Sequence, residues 1–264
     1  MGDLMMTAAP IDTQAEASTK SPGRWGPWET AGLGLLLVFV HNFFMSATIA
    51  ALGYNRLARR SGGELEQPAT GELLERLATD GVAGSIAAVV ASIFCVGAIL
   101  AITRMRTSDH QEYLAMRKSA LFPTVGWVGV VVLLQLAWQT AAQYGYGPEY
   151  SQYTVDVYAT GAGHPVMWIA YLLLIPAFEE LFARGFLFAG WQRSGLGSAG
   201  AVFATTVFWT TIHFQHTPIE LAQVATAGVV LGCARVHTRS IYPPLVMHAV
   251  VNFMALWLAS NYII

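Results

Sequence analysis

Six stretches, 31–55, 81–103, 119–147, 157–178, 194–218 and 240–264, contain no Lys, Arg, Asp or Glu, and each is at least 22 residues long. A bilayer-spanning helix needs about 20 predominantly apolar residues, so each can cross a membrane. A seventh run, 221–234, reaches that length once 218–220 are added. Thr217-Pro218-Ile219-Glu220 reads as its start: a capping Thr, Pro in the first turn, and Glu three residues after the Thr. Long apolar runs without strict two-residue alternation favour helices over the strands of a barrel. The expected fold is an all-α polytopic transmembrane helical bundle of about seven spanning helices. Only 11% of the residues are charged, against about 25% in soluble domains, so the surface could not be dressed for water.

The net charge of −2 offers no basic stripe, and no nucleic-acid partner is expected. Cys95 and Cys233 lie in separate apolar runs and give no disulfide framework or metal-knuckle spacing. Residues 1–26 are rich in Ala, Thr, Ser, Pro and acids. They read as a disordered tail without the basic start and apolar core of a signal peptide, which leaves the first helix as an uncleaved anchor. Residues 27–160 then hold the amino-terminal transmembrane helices and loops, and 161–264 a transmembrane core that carries the candidate catalytic residues.

Loop charges set the expected orientation. With the amino terminus inside, the inner segments carry Lys20, Arg24, Arg104, Arg106, Arg117, Lys118, Arg193, Arg235 and Arg239. The outer ones carry Arg56, Arg59, Arg60 and Arg76, in one loop that also holds five acids. Nine against four places the amino terminus inside and the carboxyl terminus outside, in an integral, multi-pass protein of a bacterial cytoplasmic membrane.

Ionisable groups at membrane depth cost about 2.5–3.5 kcal/mol each on translocon scales and mark functional sites by default. Three clusters stand out. In Ile175-Pro176-Ala177-Phe178-Glu179-Glu180-Leu181-Phe182-Ala183-Arg184-Gly185, Glu180 and Arg184 share a helical face in the favourable order. Glu179 points about 100° away and is left free. The second cluster is Trp209-Thr210-Thr211-Ile212-His213-Phe214-Gln215-His216. The third is His248-Ala249-Val250-Val251-Asn252, with His and Asn four apart. His41 and Asn42 are adjacent, share no face and read as structural. Two acids, an Arg, two His and an Asn can hold a water, deprotonate it and donate to a developing oxyanion. His-Glu-x-x-His, Gly-x-Ser-x-Gly and Gly-x-x-x-x-Gly-Lys motifs are all missing.

Glu179-Glu180-x-x-x-Arg184-Gly185, then an aromatic-x-x-x-His213 helix, then His248-x-x-x-Asn252, resembles the pattern of the CPBP intramembrane proteases. That family includes the type II CAAX prenyl endopeptidases and the bacteriocin-processing enzymes. The resemblance covers roughly residues 165–255. It extends to Gly228-Val229-Val230-Leu231-Gly232 and Thr238-Arg239-Ser240, which are similar to the family's Gly-rich helix and Thr-Gly-Ser turn. One position departs: Trp209 stands four before His213 where the family has Phe. The resemblance implies that Glu179 activates a water with His213, that His248 and Asn252 stabilise the oxyanion, and that Glu180 with Arg184 orients the helix. It also implies a membrane-anchored protein or peptide substrate, met within the lipid bilayer.

No cofactor is expected, although His₂Glu ligation would suit zinc. A non-catalytic scaffold or immunity protein of the same family, and a proton-coupled transporter, are the alternatives. The residues present disfavour the first, and the missing inverted repeat the second. Counted at about 1.5 Å per residue from the nearest inner loop, His248 lies roughly 12 Å deep, Glu179 roughly 17 Å and His213 about 25 Å. Convergence therefore requires tilted, offset or broken helices, and Pro176 and Pro243-Pro244 are the candidate breaks.

Overall fold

The computed structural model describes residues 25–60, 79–146, 152–214 and 216–261. The expectation of a disordered tail falls, for residues 1–24, outside the described residues, as do Glu64, Glu66, Glu72, Glu75 and Arg76 of the charged loop. Among the described residues nine helices follow one another and no strand forms. They are α1 (Pro27–Arg60), α2 (Gly81–Arg106), the single turn α3 (His110–Tyr113), α4 (Leu121–Ala141), α5 (Gln152–Gly161), α6 (Pro165–Gln192), α7 (Gly197–Thr211), α8 (Pro218–Thr238) and α9 (Tyr242–Ser260). Six of these (α1, α2, α4, α6, α8 and α9) are long and apolar enough to cross a membrane. The all-α polytopic bundle is thus what the sequence builds. Its outward apolar side chains, among them Phe39, Ile93, Leu133, Phe203 and Trp257, are exposed as lipid-facing residues should be.

Three element boundaries differ from the sequence reading. The fourth span is not 157–178 but Pro165–Gln192, because 157–161 ends the separate helix α5, whose Thr160 hydroxyl binds Gly81 N at 2.8 Å. Glu179, Glu180 and Arg184 therefore sit mid-span rather than at a helix end. The stretch 194–218 forms only the 15-residue α7, about 22 Å long, and His213 lies in the turn that follows it. Arg56, Arg59 and Arg60, expected in a loop, belong to the last turns of α1.

The helix starts follow local chemistry. Asp80 caps α2 by accepting from Val82 N at 3.1 Å and Ala83 N at 2.9 Å. Thr217 and Glu220 form the capping box expected at α8, with Thr217 N donating to Glu220 Oε2 at 2.8 Å and Glu220 N to Thr217 Oγ1 at 3.4 Å. Pro243 and Pro244 fall in the first turn of α9, where missing N–H groups leave no helical bond unmade. They begin that helix and do not break it.

Helix α6 is the irregular one. It runs as α-helix to Ile169, widens to π geometry over Ala170–Leu174, resumes over Ile175–Glu180, widens again over Leu181–Leu187, and closes as Phe188–Gln192. Pro176 accounts for the first widening, since it supplies no N–H and its ring crowds the preceding turn. The Ile175 N–H bonds Ala170 O. The Tyr171 carbonyl thereby loses Ile175 as its α-helical donor, and its π-helical donor would be Pro176. The second widening likewise removes the α-helical donor of Arg184 O, because the Phe188 N–H goes to Ala183 O and Gly185 O.

The core of α6 packs on α1 and α2 through Phe178, Phe182, Phe186 and Leu187 against Leu37, Cys95 and Ile99. Helices α7 and α8 approach closely because Gly228 and Gly232 carry no side chain. A Cβ at Gly232 would lie 2.7 Å from Val202 Cγ1, and one at Gly228 would lie 3.0 Å from Thr206 Cγ2.

The basic segments converge at one end of this bundle. Ser240 Oγ donates to Arg117 O at 2.6 Å and Ile241 N to Ala115 O at 3.1 Å, which ties the turn after α3 to the α8–α9 junction. Arg193, in the α6–α7 connection, stacks on Tyr113 at 5.5 Å. Arg106 lies 6.0 Å over Trp25 and 4.0 Å from Glu29, so the start of α1 is at this end as well.

Candidate active site

Each of the six sequence-derived site residues lies in or against one constellation, at the boundary between a buried ion pair and a cavity of about 330 Å³. Glu180 and Arg184 are fully buried. Arg184 Nη1 donates to Glu180 Oε1 at 3.0 Å, as the four-residue spacing requires, and Nη2 donates to Gly228 O at 3.1 Å. The glycine that admits α7 thus also brings its carbonyl to the guanidinium. The same Glu180 Oε1 accepts from His248 Nδ1 at 2.8 Å. Glu180 therefore does more than orient its helix: it fixes the imidazole of α9. Glu180 Oε2 and Arg184 Nε are buried with no partner among the described residues, so the arrangement carries an uncompensated desolvation cost.

Glu179 faces the cavity, but it is not left free as the spacing suggested. Trp209 Nε1 donates to its Oε2 at 2.6 Å, and His248 Nε2 stands 3.8 Å from the same oxygen. His248 is thus suspended between the two carboxylates, one ring nitrogen toward each. Trp209, the position that departs from the family pattern, is the hub. It is 4% exposed, with its ring 4.8 Å from the Arg184 guanidinium, 4.9 Å from the His213 ring and 5.5 Å from the His248 ring. A Phe would keep these ring contacts and lose the N–H.

His213 Nδ1 lies 2.7 Å from Trp209 O. That carbonyl can only accept, so the ring carries its proton on Nδ1 and leaves Nε2 as an acceptor at the cavity. Asn252 Nδ2 donates to Tyr171 O at 2.9 Å, the carbonyl that Pro176 deprives of a helical partner. Its second N–H and its oxygen are not used in that bond. Likewise Arg235 Nε takes Arg184 O at 3.0 Å. Each widened turn of α6 is therefore locked by a side chain from a neighbouring helix. That is how the depth mismatch is resolved: α6 changes its winding where it meets α8 and α9, and His213 hangs from the turn after a short helix.

The sequence reading kept His41 as structural. The structure places it on the cavity wall, stacked on Phe178 at 4.4 Å and 6°, with Nε2 buried and unpartnered among the described residues. Its adjacency to Asn42 concealed this, since the relevant neighbour lies on another helix. Tyr171 and Tyr153 also line the cavity, without any signal in the sequence. Among the described residues no three His, Cys, Asp or Glu are grouped as a metal site.

Chemically, the arrangement offers a carboxylate at a cavity, a neutral imidazole acceptor, an imidazole anchored by a second carboxylate, and an amide donor. Residues 161–254 match the family model described as type II CAAX prenyl endopeptidase Rce1-like. That segment is a little over a third of the chain and contains every residue of the motif pattern, so the resemblance to the CPBP proteases holds. No curated protein and no solved structure matches the chain.

Proposed function

We propose, from the match of residues 161–254 to the type II CAAX prenyl endopeptidases, that this chain is an intramembrane endopeptidase. It hydrolyses a peptide bond near the membrane-anchored end of a protein or peptide. The observation that carries the reading is Glu179, held at a cavity edge by the Trp209 N–H and faced by His248 Nε2, deep within a membrane span.

A water between Glu179 and His213 Nε2 loses its proton to the Glu179 carboxylate as it attacks the scissile carbonyl. The developing oxyanion is met by His248 Nε2–H and by the second N–H of Asn252. With Nδ1 bound to Glu180, His248 donates from both nitrogens only as an imidazolium, and the two carboxylates beside it balance that charge together with Arg184. Glu179 then returns the proton to the leaving amine. Peptide hydrolysis needs no redox partner, and this route uses only the chain's own groups, with no tightly held metal.

The test compares the carboxyl termini of membrane proteins in cells carrying the wild-type chain or Glu179→Gln, followed by cleavage of the identified substrate in proteoliposomes. Discrete proteins should accumulate uncleaved with Glu179→Gln, and purified wild type should cut them with metal content well below one per chain. Unchanged termini would remove the protease reading. Activity abolished by exhaustive chelation and restored by zinc would keep the protease and replace the glutamate route.

A further inference from the structure

A second cavity of about 410 Å³ opens at the basic end of the bundle and shares no lining residue with the first. Its walls come from three places: the turn after α3 (Ala115, Arg117), the end of α6 and start of α7 (Gln192, Arg193, Ser198), and the end of α8 (Arg235, Arg239). Four arginines thus face Glu112 as the single acid of the lining. Arg117 lies only 3.8 Å from Glu112, and both are exposed. Arg235 is buried and its direction is fixed, by its Nε bond to Arg184 O at 3.0 Å and by Phe188 beneath its guanidinium at 4.9 Å.

The backbone supplies an independent observation. Among the described residues only two non-glycine positions adopt a positive φ, Ala115 and Arg239, both at 53°, and both line this cavity. Glycine takes that conformation at lower cost. Strain of this kind clusters where the surrounding structure uses it. Here it turns the chain at the end of α8 so that Arg239 joins the other three. Like charges gathered in a concave site focus a positive potential that draws in anions.

Helices α2, α6 and α8 end at this level, and the large apolar side chains of Met105 and Leu196 are exposed at the same end of the bundle. The opening therefore stands at the boundary between acyl chains and water, where basic pockets between helices take lipid headgroups.

We propose that this cavity binds the phosphate of an anionic phospholipid headgroup between Arg117, Arg193, Arg235 and Arg239. The inference rests on the membrane-spanning fold and stands whether or not the chain is a protease. Occupancy offsets part of the arginine cluster's charge and, through Arg235 and the Arg184 carbonyl, steadies the helix that carries both acids.

The experiment uses the purified full-length protein, delipidated in a neutral detergent and titrated with phosphatidylglycerol, phosphatidylcholine or millimolar inorganic phosphate. Thermal melting and binding are both read. Phosphatidylglycerol should raise the melting temperature and phosphatidylcholine should not. Arg193→Gln and Arg239→Gln should each weaken phosphatidylglycerol binding about fivefold. Arg239→Gly guards against a folding artefact: it relieves the left-handed strain, so the lipid-free protein should melt no lower while binding still falls. Equal shifts with phosphatidylglycerol and phosphatidylcholine, or undiminished binding by all three variants, would overturn the proposal. A full shift with inorganic phosphate would overturn the lipid source in favour of a soluble phosphate. Binding that appears only after removal of residues 1–24 would overturn it in favour of the tail's acids as occupant.

Discussion

On one side of His248 the constellation is sealed, and on the other it opens to a cavity. The sealed side is Glu180, Arg184 and Gly228 O, with no solvent exposure at either charged group. The open side is Glu179, His213 and Asn252, whose polar atoms are each tied by one bond and otherwise face space. Two adjacent glutamates thus fall into different regimes. Glu180 is committed to two cations or donors through one oxygen, whereas Glu179 is held by a single N–H. The difference teaches that rigidity and reactivity are divided across one imidazole rather than mixed within one acid pair.

The strongest way to sharpen that contrast is Glu179→Gln. Turnover should fall by about 10²–10⁴-fold, because the amide cannot accept the water's proton. Melting in detergent should stay near that of the wild type. A matching loss of stability would erase the distinction between the two sides.

Next comes Arg184→Ala, for which we expect a loss of about 3–5 kcal/mol of stability, the usual cost of leaving one member of a buried pair uncompensated. Glu180→Gln should act in the same direction, and its activity should fall further than its stability, since the amide oxygen left for His248 Nδ1 carries no charge. Melting curves alongside turnover per folded molecule separate the two contributions. Unaltered melting in both variants would show that the sealed side is not structural.

Asn252→Ala should leave a crippled but measurable enzyme, down about 10²–10³-fold, as expected for one oxyanion donor. It also frees Tyr171 O, so activity is read per folded molecule. The smallest effect belongs to Trp209→Phe. The ring stays against Arg184 and both imidazoles, and only the bond to Glu179 is lost. A hydrogen bond to a charged group contributes about 1.5–3 kcal/mol to stability, so melting should fall accordingly, and turnover per folded molecule by roughly tenfold. Full activity would mean that Glu179 needs no support from Trp209.

The bundle was legible because apolar runs of spanning length are written directly into the chain, and the Glu180–Arg184 pair because four-residue spacing is local. Pairings between helices were not. Nothing at 248 announces that its imidazole meets Glu180, 68 residues earlier, and the family resemblance supplied the grouping of the motifs but not their hydrogen bonds. Trp209 shows the limit most clearly. As one aromatic for another it reads as neutral, and only the position of its N–H reveals what it holds. His41 shows the converse limit, since a helical-wheel argument tests neighbours on one helix and the ring it stacks on, Phe178, lies on another. Pro176 was the right residue to suspect, but the helix answers it by winding wider instead of bending apart.

That wider winding fixes how the chain can change length. Tyr171 O and Arg184 O are each held by a side chain anchored on another helix, Asn252 on α9 and Arg235 on α8. Deleting one residue within 181–187 would let the second π segment regularise into an α-helix. The helix beyond it would stay in phase, but Arg184 O would regain its α-helical donor, which would then compete with Arg235 for that carbonyl. The extra residue in each widened segment thus frees a carbonyl for a neighbouring helix, so a shortened α6 would keep its direction and lose an anchor.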